Sequence, residues 1–198
     1  MKSKLFLLLA WSVLFMVSCT DDMGITPSNE AEQNIPIEIR NEINQVPVTR
    51  VNDEGFCDGD AVGVYVVNYE DGNPGTLQNK GNQVDNVKYT YDEANMKWIP
   101  EYDVFYRDKV TPVDIIGYYP YAAPNNVNEY TFEVAKDQSK DAANGELGGY
   151  EASDFLWGKT EKVSPTAGRA NIKFHHKMAG VLVELTEGTG FADGEWTT

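Results

Sequence analysis

The chain is poor in the residues that build disulfide frameworks and metal clusters. Its 198 residues include two cysteines, Cys19 and Cys57, and two histidines, His175 and His176. Adjacent side chains on a strand point to opposite faces, so the two histidines do not share a metal ion. The sequence therefore excludes a disulfide framework and predicts no metal site. We expect Cys57 to be buried as a small hydrophobic residue.

Basic residues are also scarce. Lysine and arginine total 16 against 31 aspartates and glutamates, which gives a formal net charge of -15. Loss of Lys2 and Lys4 with a signal segment would take the charge from -15 to -17 (-15 - 2 = -17). Such a surface repels nucleic acid, so the partners we expect are protein, glycan or cations.

Helical periods and catalytic motifs are missing from the chain after its N-terminal segment. The acidic residues between 58 and 71 do not have the spacing of an EF-hand loop. The glycine-rich residues 145–149 lack the strand and helix context of a phosphate-binding loop. The sequence therefore predicts a protein that is not an enzyme, with no catalytic residue and no cofactor.

The N-terminus has the pattern of an export signal. Lys2 and Lys4 precede an apolar run, Leu5–Val17, that Ser12 alone interrupts. A membrane-spanning helix needs about 20 apolar residues, so this run is too short to be one. Residues 1–18 are therefore predicted to be a signal peptide.

The residues around Cys19 resemble the lipobox of bacterial lipoproteins, in which the cysteine carries the lipid after cleavage. Residues 20–22 (TDD) resemble the acidic export tag of surface lipoproteins of Bacteroidetes. The resemblance implies lipid attachment at Cys19 and a surface-exposed position on the outer membrane. An ordinary signal peptide with an unrelated cysteine is the alternative.

In the rest of the chain, apolar and polar residues alternate as they do in an all-β domain. Residues 19–34 are polar and predict a flexible tether, and residues 35–198 are predicted to form one β domain. Ile35, Ile37 and Ile39 alternate with polar residues, which puts them on one face of a strand. Further predicted strands cover residues 60–69, 87–91, 96–100, 113–121, 130–134, 155–159 and 170–185. Their spacing, without intervening helices, favours a β-sandwich or barrel.

Three details follow from the same pattern. VYVVNY (64–69) is apolar on both faces, as a central strand would be. A polar loop between Tyr91 and Met96 suits a hairpin. The apolar phase of the last segment shifts near Ala179 and Gly180, which predicts a bulge there.

A cluster of aromatic residues has two interpretations. Tyr118, Tyr119 and Tyr121, with Trp157, have the composition of a glycan-stacking platform. The same side chains suit core and interface positions, because aromatic residues dominate both.

Four segments in order resemble one family, the fimbrillin-like (Mfa-like, fimbrillin family A) surface lipoproteins of Bacteroidetes. They are VTR (48–50) before GDxxGVY (59–65), PVDIIGYYPY (112–121), SDFLWGK (153–159) and FHHKMAGVLVEL (174–185). The resemblance implies a transthyretin-like antiparallel β-sandwich and assembly into fimbriae by strand exchange. The family normally continues into a second sandwich domain, which we expect to be absent from this chain.

The resemblance also implies site residues. A trypsin-like extracellular protease would cut after Arg50, with Arg40 as the second choice, and the segment Ile35–Ile43 would leave the sandwich. The partners would be other fimbrial subunits, reached through a donor strand, and the outer membrane. Two alternatives stay open: the segment is a permanent first strand, or the protein is a monomeric lipoprotein that binds glycan or host protein.

Overall fold

The structure is a computed structural model, and it describes residues 34–43, 55–143 and 146–179, with only the backbone of Glu42 and Ile43. These residues form eight strands: β1 (Glu38–Ile43), β2 (Ala61–Glu70), β3 (Asn73–Pro74), β4 (Val84–Asp92), β5 (Lys97–Pro100), β6 (Val113–Tyr119), β7 (Leu156–Val163) and β8 (Arg169–His176). A short 3₁₀ turn, Glu151–Ser153, precedes β7. No helix within the described ranges has the length and apolar character needed to cross a membrane.

The strands follow one hydrogen-bonded path in the order β1-β8-β7-β6-β2-β4-β5, and β3 pairs with β2. Neighbouring strands run antiparallel except β1 and β8, which run parallel. The ladder between β7 and β8 has two register pairs, Leu156↔His176 and Trp157↔His175. Beyond these two pairs, β8 is not paired with β7. This part of β8, together with β1, forms a second layer.

The packing of β8 on β6 shows the two layers, because β7 separates these strands in the sheet order. A Cβ atom on Gly117 of β6 would lie 2.9 Å from Cζ of Phe174 and 3.3 Å from Cδ1 of Ile172. Glycine therefore permits the close approach of β8 to the backbone of β6. The predicted all-β class and sandwich architecture are confirmed.

The main core lies between these layers and follows the alternation of β8. Ala170, Ile172 and Phe174 are buried, whereas the residues between them are exposed. This pattern buries one face of the strand and solvates the other. Ile172 and Phe174 therefore point into the core.

The central strands β2 and β6 are covered on both faces. Val62, Val64 and Val66 join the main core, whereas the alternate residues Tyr65 and Val67 face a second cluster. That cluster also contains Ile116 and Tyr118, packed against Leu77, Ala122, Val127 and Phe155. The prediction that VYVVNY is a strand buried on both faces is confirmed.

The predicted hairpin after Tyr91 is present as well. β4 and β5 pair antiparallel, with Tyr91 opposite Trp98 and Asp92 opposite Lys97. Met96 has a positive φ of 50° and is 78% exposed, so it belongs to the turn and not to the strand.

The strand predicted at residues 130–134 (YTFEV) is wrong. No strand is found there in the described structure. The ring centroids of Tyr130 and Phe132 lie 5.7 and 5.0 Å from that of Phe155, so these side chains cover the second cluster. Tyr130 and Phe132 alternate with polar residues because both rings pack on Phe155, and not because the segment is a paired strand.

Two further predictions concern single positions. Cys57 is exposed, so its predicted burial is wrong. It lies in the turn before β2, where its backbone N–H donates to the Asp60 carboxylate at 2.8 Å. The bulge predicted near Ala179 and Gly180 falls beyond β8, and Gly180 lies outside the described residues.

A buried carboxylate, that of Asp114, lies where the register between β6 and β7 shifts, between Val113 and Ile115. The Asp114 side chain is 3% exposed and contacts Lys159 Nζ at 2.9 Å, and the backbone N–H of Lys162 donates to it at 2.9 Å. Desolvation raises the pKa of Asp114, but the hydrogen bonds from Lys159 and the Lys162 backbone outweigh it and lower the pKa. The ionised form is therefore the one that holds the two strands together here.

Truncating Phe174 tests the central position of β8 in the core. Phe174→Ala should lower the free energy of unfolding by about 3–5 kcal/mol, because it removes a fully buried ring. Lys173→Ala, one residue earlier on the exposed face, should change it by less than about 0.5 kcal/mol. Urea denaturation measures both values, and equal losses would contradict the placement of β8.

Replacing Asp114 tests the β6–β7 contact through pH. At pH 7, Asp114→Asn should lower the free energy of unfolding by about 1.5–3 kcal/mol, since hydrogen bonds to a charged group are lost. Because the pKa of Asp114 is lower in the folded state, its ionisation stabilises the fold at pH values above the ordinary pKa of 3.8. The difference from wild type should therefore shrink as the pH falls through the lowered pKa.

The matched control for Asp114→Asn is Glu161→Gln, which alters the exposed partner of the same lysine. Its effect should stay below about 1 kcal/mol at every pH, as expected for an exposed ion pair. Chemical denaturation from pH 2 to 7 gives both profiles. A difference for Asp114→Asn that does not depend on pH would rule out the ionised contact.

Candidate functional site

The segment Ile35–Ile43 is held by main-chain hydrogen bonds, on one edge through β1 and on the other through the residues before it. β1 pairs in parallel with β8 from Glu38↔Arg169 to Ile43↔Phe174. At the start of the segment, the N–H of Ile37 donates to Val104 at 2.8 Å, and the N–H of Tyr106 donates to Ile35 at 2.9 Å. The segment Ile35–Ile43 therefore fills a gap between β8 and residues 104–106.

The predicted strand-exchange residues lie in this gap. Ile37 and Ile39 are 3% and 5% exposed and belong to the main core, and Ile35 is partly buried against it. Burial of a large aliphatic side chain contributes about 1.5–3 kcal/mol. The two buried isoleucines therefore contribute about 3–6 kcal/mol in total on the same scale.

Polar contacts also hold β1 in place. The buried hydroxyl of Tyr89 on β4 donates to the carbonyl oxygen of Ile37 at 3.2 Å. Burial raises the pKa of Tyr89, so this hydroxyl stays protonated and acts as a donor. Arg169 Nε lies 2.7 Å from the Glu38 carboxylate in an exposed pair. On the inner side, Trp98 Nε1 of β5 donates to Asn41 Oδ1 at 2.7 Å.

β1 and β5 lie near each other without main-chain pairing in the part of the chain that the structure describes. A groove of about 230 Å³ separates the two strands, and Ile37, Ile39, Trp98 and Val104 are among its lining residues. One edge of β1 is thus less completely paired than the edge that contacts β8.

The predicted lipid and cleavage residues lie outside the described residues. Cys19 and Arg50 fall in the ranges 1–33 and 44–54, for which no structure is described. The second-choice cleavage residue, Arg40, has an exposed side chain. Its backbone, however, is part of the ladder with Asn171 of β8.

The tyrosine cluster is mostly interior. Tyr118 and Tyr119 are 6% and 1% exposed, and Tyr121 is 36% exposed. Tyr119 donates to the Asp60 carboxylate at 3.1 Å, and the Tyr118 hydroxyl contacts the Ala122 carbonyl at 2.6 Å. Burial raises the pKa of both hydroxyls. Two of the three tyrosines therefore lack the open ring face that a glycan would need.

The histidines are separated as predicted. His175 is exposed, whereas His176 has a side chain that is 8% exposed and lies 2.8 Å from the Asp154 carboxylate. Within the described ranges, no group of three histidine, cysteine or acidic side chains is placed to hold a metal ion.

The sequence interpretation did not identify Asn41, Tyr89 or Trp98 as site residues. The sequence could have indicated Asn41, because it is the polar residue in the inward series that begins with Ile35, Ile37 and Ile39. Trp98 and Tyr89 gave none, because their contacts with β1 join residues far apart in the chain.

Comparison with known proteins gives a family match. The model of the family described as fimbrillin-like matches residues 49–197. Curated proteins, in contrast, give no match to this sequence.

Two solved structures are similar to the chain. One is of a proposed cell adhesion protein from Bacteroides uniformis, at 20% identity and a TM-score of 0.49, over 73% of this chain and 48% of that one. The other is of a fimbrial protein from Bacteroides ovatus, at 15% identity and a TM-score of 0.44, over 72% of this chain and 28% of that one. The chain thus spans less than half the length of either protein.

Shortening an inward residue of β1 tests how tightly this strand is held. Ile39→Ala should lower the free energy of unfolding by about 2–5 kcal/mol, because a buried aliphatic side chain is truncated. It should also speed amide hydrogen exchange in β1 more than in the central strand β2. Arg40→Ala, its exposed neighbour, serves as the control and should leave both quantities near wild type. Equal acceleration in β1 and β2 would show that β1 does not open separately.

Proposed function

The chain belongs to the fimbrillin-like family, and we propose that it is a structural subunit of a cell-surface fimbrium that assembles by strand exchange. The observation that carries this proposal is the position of the segment Ile35–Ile43, which contains β1. It completes the core through Ile37 and Ile39, yet it lies before the residues that the family model matches, which begin at 49. Arg50 stands at that boundary in the sequence.

The proposed sequence of events begins with a precursor anchored to the outer membrane by lipid at Cys19. A trypsin-like extracellular protease cuts after Arg50, which removes the covalent link between Ile35–Ile43 and the rest of the domain. The segment then dissociates, and a strand from a neighbouring subunit takes its place. The new strand pairs with the exposed main chain and fills the side-chain pockets, as in other cases of strand addition.

The energetics of β1 suit such an exchange. Burial of Ile37 and Ile39 contributes about 3–6 kcal/mol, within a total stability for a domain of about 5–15 kcal/mol. An empty groove would therefore expose much of the stabilising surface and favour rapid refilling. An intact link keeps the segment at high effective concentration, so the precursor stays closed until it is cut.

The role we propose is mechanical and adhesive, without catalysis. Its partners are other fimbrial subunits, the outer membrane and the processing protease. The alternative is a monomeric surface lipoprotein that binds glycan or host protein. Its glycan-binding form has less support, because Tyr118 and Tyr119 are buried.

Cleavage of the soluble Cys19→Ser chain by a trypsin-like protease tests the proposal. We expect an early single cut after Arg50, followed by loss of the N-terminal fragment and formation of oligomers. Intact mass spectrometry identifies the cut, and size-exclusion chromatography detects the oligomers. The physical reason is that the cut allows β1 to dissociate and leaves a groove that another chain can fill.

Two variants control for the position of the cut. Arg50→Gln should prevent both the cut and the oligomers, whereas Arg40→Gln should leave both unchanged, because the backbone of Arg40 is paired with β8. Resistance of the wild-type chain at Arg50 would contradict the proposal. So would a cut chain that retains its fragment and stays monomeric.

A further inference from the structure

The inward face of β1 carries one amide among aliphatic side chains. The register puts Ile39 beside Ala170 and Asn41 beside Ile172, and both of these β8 residues are buried. Because side chains alternate along a strand, Asn41 shares the inward face with Ile37 and Ile39. Asn41 is partly exposed, and a polar atom that it turns towards the core still needs a hydrogen-bond partner.

The partner of Asn41 is the indole N–H of Trp98, at 2.7 Å. Trp98 is 7% exposed and stands on β5, where it lines the groove between β5 and β1. Its ring packs against Phe56 and Tyr91, with centroid distances of 5.0 and 5.1 Å. An indole nitrogen only donates, and the packed ring fixes its direction, so the groove presents one oriented donor to whatever strand occupies it.

We infer that Trp98 sets the register of the strand in this groove by requiring a side-chain acceptor at the position of Asn41. A second step rests on the proposed function: the same contact selects the strand that a partner subunit inserts. That strand should carry two aliphatic residues in alternation and then Asn, Asp or another acceptor two residues further on.

The hydrophobic pattern alone cannot fix this register. A slip of two residues keeps every inward residue inward, because the side-chain period of a strand is two. No tight turn connects β1 to β8, because the paired residues are far apart in the sequence, as Ile39 and Ala170 are. The pair Glu38–Arg169 is exposed, and exposed ion pairs discriminate weakly.

A slip in either direction would move Asn41 away from Trp98. The indole would then face an aliphatic side chain, and the amide would lie opposite Ala170 or Phe174 instead of Ile172. The indole N–H of Trp98, on a side chain that is 7% exposed, would then lack a hydrogen bond, which is more costly than losing the bond in water. A single buried asparagine fixes register in coiled coils for the same reason.

Disulfide trapping in the full-length chain tests the register directly. In a background of Cys19→Ser and Cys57→Ser, Arg40→Cys with Asn171→Cys reports the observed register. Arg40→Cys with Lys173→Cys reports a slip of two. Neighbouring strands are about 4.8 Å apart and a two-residue step adds about 6.6 Å along the strand. The slipped pair is then about 8 Å apart in the native register, beyond disulfide reach.

With Asn41 present, we expect the first pair to oxidise and the second to remain reduced. Asn41→Val should raise oxidation of the second pair at least tenfold, and Asn41→Asp, which keeps an acceptor, should restore the wild-type result. Trp98→Phe removes the donor from the other side and should act like Asn41→Val. Oxidation of the first pair in each variant shows that β1 is still docked. If both Asn41→Val and Trp98→Phe leave the second pair reduced, the register role is overturned.

The selection of an incoming strand is tested on the chain cut after Arg50, still carrying its own fragment. Synthetic peptides of residues 35–43 with Asn or with Val at position 41 compete for the groove, and native mass spectrometry measures incorporation. We expect at least a tenfold preference for the Asn peptide, lost in the Trp98→Phe chain. Equal incorporation of both peptides overturns the selection. Incorporation of neither peptide would count against strand exchange itself, which the disulfide result in the intact chain does not depend on.

Discussion

The parallel pairing of β1 with β8 is the contact on which the rest of the structure depends. β8 carries Ile172 and Phe174 into the centre of the core. β1 lies beside β8 as its paired neighbour, and it adds Ile39 to the same cluster, next to Ile37 from the residue before the strand. The domain is therefore a sandwich whose last gap is filled by a strand from the beginning of the chain.

This arrangement makes one strand both necessary and separable. β1 pairs with β8, and Ile35 and Ile37 just before it bond to residues 104–106. All these partners are distant in sequence, so no hairpin ties the segment to its neighbours. Its covalent link to β2 passes through residues 44–60, which include Arg50. A strand with few local ties and a large buried surface is suited to removal by one cut and to replacement by an equivalent strand. The proposed assembly follows from these two properties together.

Much of the fold is predictable from side-chain alternation, and the parts that are not have physical reasons. The inward positions of Ile35, Ile37 and Ile39 followed from a period-two pattern, and the double coverage of β2 followed from a run that is apolar on both faces. Residues 130–134 showed such a pattern for another reason, because their rings pack on Phe155. Strand order, the parallel direction of β1 and the contact of Asn41 with Trp98 depend on which distant segments meet, and no local pattern encodes that.

The most direct test of separability is an exchange of first strands between two populations of the chain. One population is isotopically heavy and the other light, both are cut after Arg50, and native mass spectrometry follows the mixture. A separable β1 predicts that heavy N-terminal fragments become bound to light domains, whereas uncut mixtures show no transfer. Heavy fragments that remain with heavy domains after prolonged mixing would contradict the central claim, because β1 would then be a permanent part of its own sandwich.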